Sequence, residues 1–265
     1  MDNRPIGVFD SGLGGLTVVK ALKELLPNES IVYFGDTARL PYGIKSKDLV
    51  EQYSKQITKF LIKKDAKIIV VACNTATAMA LNRLKKDFKN VPIIGVIEPG
   101  SKQAISKTSR GKIGVIGTIA TIKSKAYEIS IKNKDKNVDI ISKACPLFVP
   151  FVEEGLTNGD AINQVAKHYL SSFKNKVDTL ILGCTHYPLL KSVISKITKQ
   201  ITLIDSASVV ATDAHKKLQY HKLLNQGVQK GTLHCYVTDL PMRFEELGNI
   251  FLGEEIKHLH LVNDF

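Results

Sequence analysis

The chain has 265 residues, 44% of them hydrophobic and 23% charged. This length is enough to bury one large core or two modest cores without stabilising disulfides or metal ions. No apolar stretch approaches the roughly 18 residues that a membrane-spanning helix needs, so a membrane protein is excluded. The net charge of +12 suggests a phosphate-binding surface, but only five of the 37 basic residues are Arg. Scattered lysines are typical of solvated helix faces, whereas proteins that recognise nucleic acids favour Arg at the contact positions. We therefore do not expect nucleic acid as a partner.

Short runs rich in Val and Ile alternate along the chain with longer segments of helical periodicity, which is the pattern of βαβ units around a largely parallel sheet. The predicted strands cover residues 6–9, 31–34, 67–72, 93–96, 112–116, 138–141, 179–182 and 202–204. Helices are predicted to fill most of the gaps. The segment 46–62 is a clear helix, with Ser46 as its N-cap and one apolar face made by Leu49, Tyr53, Ile57, Phe60 and Leu61.

The two halves of the chain contain a weak internal repeat. Ile6-Gly-Val-Phe-Asp-Ser matches Ile113-Gly-Val-Ile-Gly-Thr, and Ile69-Val-Val-Ala-Cys-Asn matches Leu180-Ile-Leu-Gly-Cys-Thr. Each half thus offers one strand that ends in a polar turn and a second strand that ends in Cys. Ligands of open α/β sheets bind beyond the carboxyl ends of the strands, so we expect both cysteines at one cleft between two facing domains.

The repeat predicts the fold class, which is α/β with two similar domains, mostly parallel sheets and pseudo-symmetry. The first domain is predicted to contain residues 1–97 plus 207–265, and the second residues 98–206. The first break is placed at Glu98-Pro99-Gly100, because Pro and Gly often end secondary-structure elements. The second break is placed near Asp205, where the second repeat ends. The return of the C-terminal segment to the first domain depends mainly on the extent of the repeat.

The four cysteines are widely spaced and contain no C-x-x-C pair, which favours a reducing compartment over a disulfide framework or a structural zinc site. The apolar segment 6–9 is too short for a signal peptide, so we expect a cytoplasmic protein. Cys145 and Cys235 are interpreted as small core residues. Cys73 and Cys184 differ, because each follows an apolar strand and opens a polar turn that leads into a helix.

A thiol at the start of a helix is a plausible acid or base, since the helix N-terminus favours thiolate and a free thiol has a pKa of about 8.5. Inversion of a carbon stereocentre needs one group that removes a proton and a second group that delivers one to the opposite face. Cys73 and Cys184 on facing domains meet that need. The hydroxyl and amide groups beside them, on Asn74, Thr75 and Thr185, suit a substrate with carboxylate and ammonium groups.

Asp10 ends the first strand in a Gly-rich turn that lacks both the dinucleotide spacing and the phosphate-loop sequence, which argues against a nucleotide. Small-anion binding by backbone N–H groups, aided by the hydroxyl of Ser11, is favoured. Asp10 is either a plain turn residue or a group that orients or deprotonates a thiol. Thr118 occupies the place of Ser11 in the second half of the chain.

Three further positions have two interpretations each. The loop Leu40-Pro41-Tyr42-Gly43 is either a plain turn or a wall of the substrate pocket. His186 has no second ligand at helical spacing, so we interpret it as a proton partner for Cys184 and predict no metal. Glu153 lies in a polar and aromatic loop, where surface solvation is its default interpretation.

Four motifs in this order, Gly7-Val-Phe-Asp-Ser-Gly-Leu-Gly-Gly15, Leu40-Pro-Tyr-Gly43, Ala72-Cys-Asn-Thr75 and Gly183-Cys-Thr-His-Tyr-Pro188, resemble those of the glutamate racemases in the aspartate/glutamate racemase family. The resemblance spans nearly the whole chain. It implies interconversion of L- and D-glutamate without a cofactor, two α/β domains with the active site between them, and a supply of D-glutamate for peptidoglycan. It also implies a homodimer.

Carried over by position, the resemblance makes Cys73 and Cys184 the acid/base thiols, with Asp10 and His186 as their respective helpers. Glu153 matches an acidic position near the second thiol. The expected substrate contacts are Asp10, Ser11, Pro41, Tyr42, Gly43, Cys73, Asn74, Thr75, Thr118, Cys184, Thr185 and His186. Among these, Tyr42 and Gly43 are similar to the family's contacts for the side-chain carboxylate.

Rival functions remain open at this point. A related two-cysteine racemase would act on aspartate or a hydantoin, and the Leu40-Pro-Tyr-Gly43 loop argues for glutamate instead. A thiol hydrolase would use Cys184 as its nucleophile and His186 as its base, but leaves Cys73 without a role. A basic nucleic-acid-binding or inhibitor protein has only the net charge in its favour.

Overall fold

Two parallel sheets organise the chain, and the computed structural model describes residues 2–239 and 244–263. The six-stranded sheet has the order β10-β9-β2-β1-β3-β4, and the four-stranded sheet has the order β6-β5-β7-β8. Within the described residues, the strands are β1 (Ile6–Asp10), β2 (Ile31–Gly35), β3 (Ile68–Val71), β4 (Ile93–Gly95), β5 (Lys112–Gly117), β6 (Asp139–Ala144), β7 (Thr179–Gly183), β8 (Thr202–Asp205), β9 (Leu233–Val237) and β10 (Leu259–Leu261). The predicted α/β class with two mostly parallel sheets is confirmed.

All eight strands predicted from sequence are present, with bounds that differ by a few residues at most. The two C-terminal strands, β9 and β10, were not predicted. The sequence of β9, Leu-His-Cys-Tyr-Val, is only partly buried, and β10 has three residues at the edge of the sheet. The His residues in both strands interrupt the apolar run that identified the others.

Helices cover both faces of the sheets. They are α1 (Leu16–Leu25), α2 (Lys47–Lys63), α3 (Asn74–Asp87), α4 (Ile97–Lys107), α5 (Ile119–Lys123), α6 (Ala126–Lys132), α7 (Phe148–Glu153), α8 (Asp160–Leu170), α9 (Lys191–Thr198), α10 (Ser206–Tyr220) and α11 (Phe244–Leu252). Within residues 2–239 and 244–263, none of them has the length and apolar character needed to span a membrane.

Helix α2 confirms the predicted N-cap and corrects part of the predicted apolar face. The Ser46 hydroxyl accepts a hydrogen bond from the backbone N–H of Leu49, and Ile57 and Leu61 are buried as expected. Leu49 itself is 41% exposed, whereas Val50 is buried. The prediction was wrong at this position because the first turn of the helix turns Val50, rather than Leu49, toward the core.

Alternate residues of the first sheet contribute to two different cores. Ile6 and Val8 belong to a core that continues into the second sheet through residues such as Val115. Phe9 belongs to a separate core on the opposite face, where the apolar face of α2 packs. The alternation of side chains along a strand therefore joins one face of the first sheet to the second sheet.

The predicted domain breaks fall on helices rather than on loops. Glu98-Pro99-Gly100 forms part of the first turn of α4, and Asp205 caps α10 by accepting a hydrogen bond from the backbone N–H of Ala207 at 2.9 Å. The division into residues 1–97 plus 207–265 and residues 98–206 stays a prediction. Residues 1, 240–243 and 264–265 of the first predicted domain lie outside the described residues.

Candidate active site

The two cysteines of the repeat lie just beyond the carboxyl ends of corresponding strands. Cys73 follows β3 and caps α3, where its Sγ accepts a hydrogen bond from the backbone N–H of Ala76 at 3.4 Å. Cys184 follows β7, the equivalent strand of the second sheet. Their exposed fractions are only 5% and 6%, so both thiols are shielded from bulk water and lie at the edges where α/β sheets bind ligands.

Both thiols line one cavity of about 310 Å³, a volume typical of small-molecule sites. The predicted site residues around it are Ser11, Pro41, Tyr42, Gly43, Cys73, Asn74, Thr75, Thr118, Glu153, Cys184, Thr185 and His186. Asp10 is the exception, because it is fully buried behind the lining residues. The structure therefore brings together residues from both sheets that are far apart in the sequence.

Cys73 has a hydroxyl and a buried carboxylate as its polar surroundings. Its Sγ lies 3.8 Å from Ser11 Oγ. Burial, reinforced by the charge of Asp10, raises the pKa of the Cys73 thiol to about 12. Cys73 therefore holds its proton at neutral pH when the cavity contains no ligand.

Asp10 does not hydrogen-bond Cys73 directly. Its carboxylate accepts hydrogen bonds from the backbone N–H of Gly12 at 3.1 Å and from the hydroxyl of Thr185 at 3.4 Å. Burial raises the pKa of Asp10, and the charge of His186 opposes that shift. Its geometry thus fits an electrostatic influence on Cys73 better than direct removal of the thiol proton.

Cys184 has an imidazole as its partner instead. Its Sγ lies 3.8 Å from His186 Nδ1, and His186 Nε2 lies 3.2 Å from Glu153 Oε1. Burial opposes protonation of His186, but its hydrogen bonds to Cys184 and Glu153 outweigh that effect and raise its pKa to about 10. An imidazolium beside a sulfur favours the thiolate form.

Glu153 is therefore more than a solvated surface residue. Its side chain is 30% exposed, so water weakens its ion pair with His186 without abolishing it. The ring of Phe251 in α11 also makes an edge-to-face contact with His186, at 5.3 Å between centroids. The two contacts fix the ring orientation of His186.

Hydroxyl and amide groups join the turn after β3 to the second sheet. Thr75 Oγ1 lies 3.0 Å from Thr118 Oγ1 and 3.2 Å from Thr121 Oγ1. The Tyr127 hydroxyl donates a hydrogen bond to Asn74 Oδ1 at 2.6 Å. These contacts hold the Cys73 side of the cavity at a fixed distance from the second sheet.

Two glycines allow the halves to approach closely. A Cβ at Gly14 would overlap the Thr185 side chain, and a Cβ at Gly43 would lie 2.8 Å from Thr118 Cβ. Distances this short do not occur between real side chains, so these positions accept only Gly without displacement of a partner. The cavity walls thus depend on glycine at two points where the halves meet.

Sequence reasoning missed the apolar part of the cavity wall. The lining residues it did not predict are Gly12, Ile44, Ile119, Pro146, Val149 and Pro150, whereas Leu40 belongs to the loop that was considered as a pocket wall. Val149 and Pro150 belong to α7, the same short helix that carries Glu153. The available signal was the apolar run just before Glu153, which could equally belong to a core helix.

The described residues contain no group of three or more His, Cys, Asp and Glu side chains that suits a metal ion. What the cavity offers chemically is two thiols, one beside a carboxylate and one beside an imidazolium, among hydroxyl and amide groups. This combination suits proton transfer to and from a small polar molecule.

Residues 6–214 match the sequence model of the Asp/Glu/Hydantoin racemase family. Over 260 residues, the chain is 49% identical to glutamate racemase of Chlorobaculum tepidum, which covers 97% of this chain and 96% of the relative. It is 50% identical over 252 residues to glutamate racemase of Aquifex aeolicus, with 95% of each chain covered. A crystal structure of glutamate racemase from Francisella tularensis in complex with D-glutamate superimposes with a TM-score of 0.94, at 44% identity over 99% of this chain and 98% of that one. The chain belongs to the Asp/Glu/Hydantoin racemase family.

Proposed function

We propose that this protein is a glutamate racemase that interconverts L- and D-glutamate by proton transfer between two cysteines. The observation that carries the proposal is the pair of buried thiols, Cys73 and Cys184, which line one cavity and have oppositely charged partners. The similarity to glutamate racemases over nearly the full chain supports glutamate as the substrate.

In the free enzyme, Cys184 beside the imidazolium of His186 is the base, and Cys73 is the acid. The Cys184 thiolate takes the proton from Cα of the enantiomer whose Cα–H bond faces it, and the electron pair of that bond stays on the substrate. The Cys73 thiol then delivers its proton to the opposite face of Cα. The step leaves Cys184 as the thiol and Cys73 as the thiolate, the form that acts on the other enantiomer with the two roles exchanged, and no atom is oxidised or reduced, so it balances without a cofactor.

The lining of the cavity suits the two ends of glutamate. Hydroxyl and amide groups of Ser11, Asn74 and Thr185 suit the ammonium group and the α-carboxylate. Tyr42 and Gly43 form the wall assigned to the side-chain carboxylate, and the apolar wall accommodates the methylene groups. A weak carbon acid needs such positioned donors and the exclusion of water, since both lower the barrier to proton removal.

The cellular role follows from the same proposal. We propose that the protein supplies D-glutamate for peptidoglycan synthesis, uses no cofactor, works as a homodimer and resides in the cytoplasm. All four cysteines are free thiols, which supports a reducing compartment.

The test is circular dichroism of L-glutamate and, separately, of D-glutamate incubated with the protein and no added cofactor. We expect the signal to decay from both enantiomers with the wild type, and Cys73→Ser and Cys184→Ser each to lose racemisation by at least about a thousandfold. Cys235→Ala, which removes a buried thiol outside the cavity, serves as the control and retains racemisation. A wild type that leaves both signals unchanged would contradict the proposal and direct the assay to aspartate and hydantoins.

A thiol hydrolase is the second candidate, because Cys184 Sγ and His186 Nδ1 are 3.8 Å apart as in a nucleophile and its base. Such an enzyme would need Cys184 but not Cys73. Hydrolytic activity that survives Cys73→Ser and disappears in Cys184→Ser would favour the hydrolase.

A further inference from the structure

A fully buried carboxylate lies behind the cavity wall, just after the end of β2. Asp36 has no exposed surface, and its backbone N–H donates a hydrogen bond to the carbonyl of Asp10 at 3.1 Å. A buried carboxylate is costly unless hydrogen-bond donors surround it. The donors around Asp36 therefore show which parts of the chain it holds in place.

Three donors from two segments, the loop after β2 and the segment after β9, meet at Asp36. The hydroxyl of Tyr42, a residue of the cavity wall, donates to Oδ2. Arg39 Nε lies 2.8 Å from the carboxylate, and the Thr238 hydroxyl donates to Oδ1 at 3.0 Å. The carboxylate thus connects the cavity wall to the segment that follows β9.

Arg39 explains how a carboxylate can lie so close to a cavity assigned to an anion. Its guanidinium neutralises Asp36 and also donates to Gln56 Oε1 at 2.6 Å. The same group lies 4.2 Å from the centroid of the Tyr53 ring, which in turn packs against Tyr42 at 5.8 Å between centroids. The network therefore anchors the wall to α2 as well.

The segment after β9 is fastened to the loop beside the wall by further hydrogen bonds. The Thr238 hydroxyl accepts from the backbone N–H of Ala38 at 3.0 Å. The Thr37 hydroxyl donates to the Asp239 carbonyl at 2.5 Å, and the Asp239 N–H donates back to Thr37 Oγ1 at 2.8 Å. Residues 36–39 are consequently held from two sides.

We propose that Asp36 is a positioning residue that fixes the Tyr42 wall of the cavity and thereby the fit of the substrate's side-chain carboxylate. The identity of that substrate rests on the proposed function. The hydroxyl proton of Tyr42 is committed to Asp36, so the contribution of Tyr42 to the wall is the place of its ring and of the adjoining Gly43, which lies against Thr118. Replacing a buried ion pair by apolar residues often leaves a protein equally stable. We therefore assign the pair of Asp36 and Arg39 a role in the geometry of the wall rather than in stability.

Asp36→Asn tests the proposal, because it keeps the size of the side chain and replaces one acceptor oxygen by a donor. We expect KM to rise about tenfold for both enantiomers of glutamate, with kcat changed less than about threefold, since the wall acts on binding rather than on proton transfer. L- and D-glutamate have equal free energies in solution, so kcat/KM must fall by the same factor for both. Asp48→Asn, an exposed residue in the first turn of α2, is the matched control and leaves both constants unchanged.

A double-mutant cycle tests the link to Tyr42. Tyr42→Phe and Asp36→Asn each remove the same hydrogen bond, so the double variant should raise KM by much less than the product of the single effects. Thr238→Val removes one donor with little change in volume and should raise KM two- to fivefold. Thr238→Val therefore provides an independent test of the positioning role if Asp36→Asn folds poorly.

Amide hydrogen exchange separates the failure of this proposal from the failure of the proposed function. Faster exchange in residues 36–45 of Asp36→Asn, with unchanged exchange around Cys184, is expected and needs no substrate. A folded Asp36→Asn with unchanged KM, or with a loss confined to kcat, overturns the positioning role. If the wild type does not racemise glutamate, the proposed function fails, and unchanged exchange in residues 36–45 would still overturn the role of Asp36.

Discussion

Cys73 and Cys184 lie at equivalent places of two similar sheets, yet their surroundings are opposite in charge. Cys73 lies beside Ser11 and close to the buried carboxylate of Asp10, and its thiol pKa is raised to about 12 by burial and by that carboxylate. Cys184 lies beside His186, which stays protonated up to a pH of about 10. The same backbone frame therefore presents one thiol that keeps its proton and one sulfur that has a cation at its side.

This difference shows how two similar sheets can provide the one proton acceptor and the one proton donor that the proposed reaction needs. Two identical thiol sites would hold their protons equally well, so neither would be ready to remove a proton while the other delivers one. Different neighbours place unlike charges beside two equivalent positions, as in other sites where environment separates two like groups. Removing either neighbour should make the two thiols more alike, and the predictions below follow that idea.

Among the neighbours of the two thiols, the largest effect is expected for His186→Asn, which removes the cation beside Cys184. Racemisation should fall about 10²- to 10³-fold, the usual contribution of a positioned acid/base partner. The alkylation rate of Cys184 by iodoacetamide at pH 7, measured by mass spectrometry, should fall as well, while that of Cys73 stays the same. A variant that racemises normally would show that Cys184 does not depend on the imidazolium.

The pH dependence of stability provides a separate check on His186. Its pKa is about 6.5 when free and about 10 in the fold, so its contribution to stability is fully present below pH 6.5 and is lost as the pH rises through 10. The free energy of unfolding should therefore decrease more between pH 6.5 and 10 in the wild type than in His186→Asn. Parallel curves from urea denaturation would contradict the raised pKa.

Asp10→Asn tests the opposite side of the cavity, because it removes the buried charge near Cys73 at constant size. The pKa of Cys73 should fall, so iodoacetamide should alkylate Cys73 at a lower pH than in the wild type. Racemisation should decrease about ten- to a hundredfold, since the two thiols are then less well separated in protonation state. Unchanged or slower alkylation of Cys73 would show that Asp10 does not act on it through charge.

Gly14→Ala should disturb both thiol sites at once. Its Cβ would lie 2.7 Å from His186 Nδ1 and would overlap the Thr185 side chain, which hydrogen-bonds Asp10. We expect a loss of about 1–3 kcal/mol in the free energy of unfolding and about a tenfold loss of racemisation. Gly100→Ala is the control, because its Cβ would meet Ser206 Oγ at an ordinary 3.5 Å within a helix; it should leave activity intact and stability equal or slightly higher.

The sequence predicted the parts of the fold that repeat a strong local pattern. The parallel sheets and the apolar strands before Cys73 and Cys184 were predicted because burial on both faces of a parallel sheet imposes apolar runs. The Ser46 cap was predicted because Ser is a preferred N-cap residue. Strands β9 and β10 were not predicted because His residues interrupt their apolar character, and β10 is also the edge strand of the first sheet. Strand β9 is placed by pairing with β2 and β10 by pairing with β9, and local sequence does not reveal these pairings.

The candidate site was predictable to a similar extent. Side chains that flank the strands, such as Ser11 and Thr185, were found because polar residues beside an apolar run are conspicuous. Asp36, Phe251 and the apolar wall were not found, since their roles depend on contacts between segments far apart in sequence. Phe251 in particular comes from a C-terminal helix that lies beyond the residues matched by the family's sequence model.

The smallest effect is expected for Phe251→Leu, which removes the edge-to-face contact with the His186 ring and keeps an apolar side chain in the core. The contact is worth about 0.5–1.5 kcal/mol, so racemisation should fall about threefold. Because the aromatic edge orients His186 without carrying charge, the loss should be the same at every pH between 7 and 9. Ile250→Leu, on the exposed side of the same helix, should have no effect. A Phe251→Leu variant whose pH–rate profile shifts instead would mean that the ring also controls the protonation of His186, and the difference between the two thiol sites would then depend on the C-terminal helix.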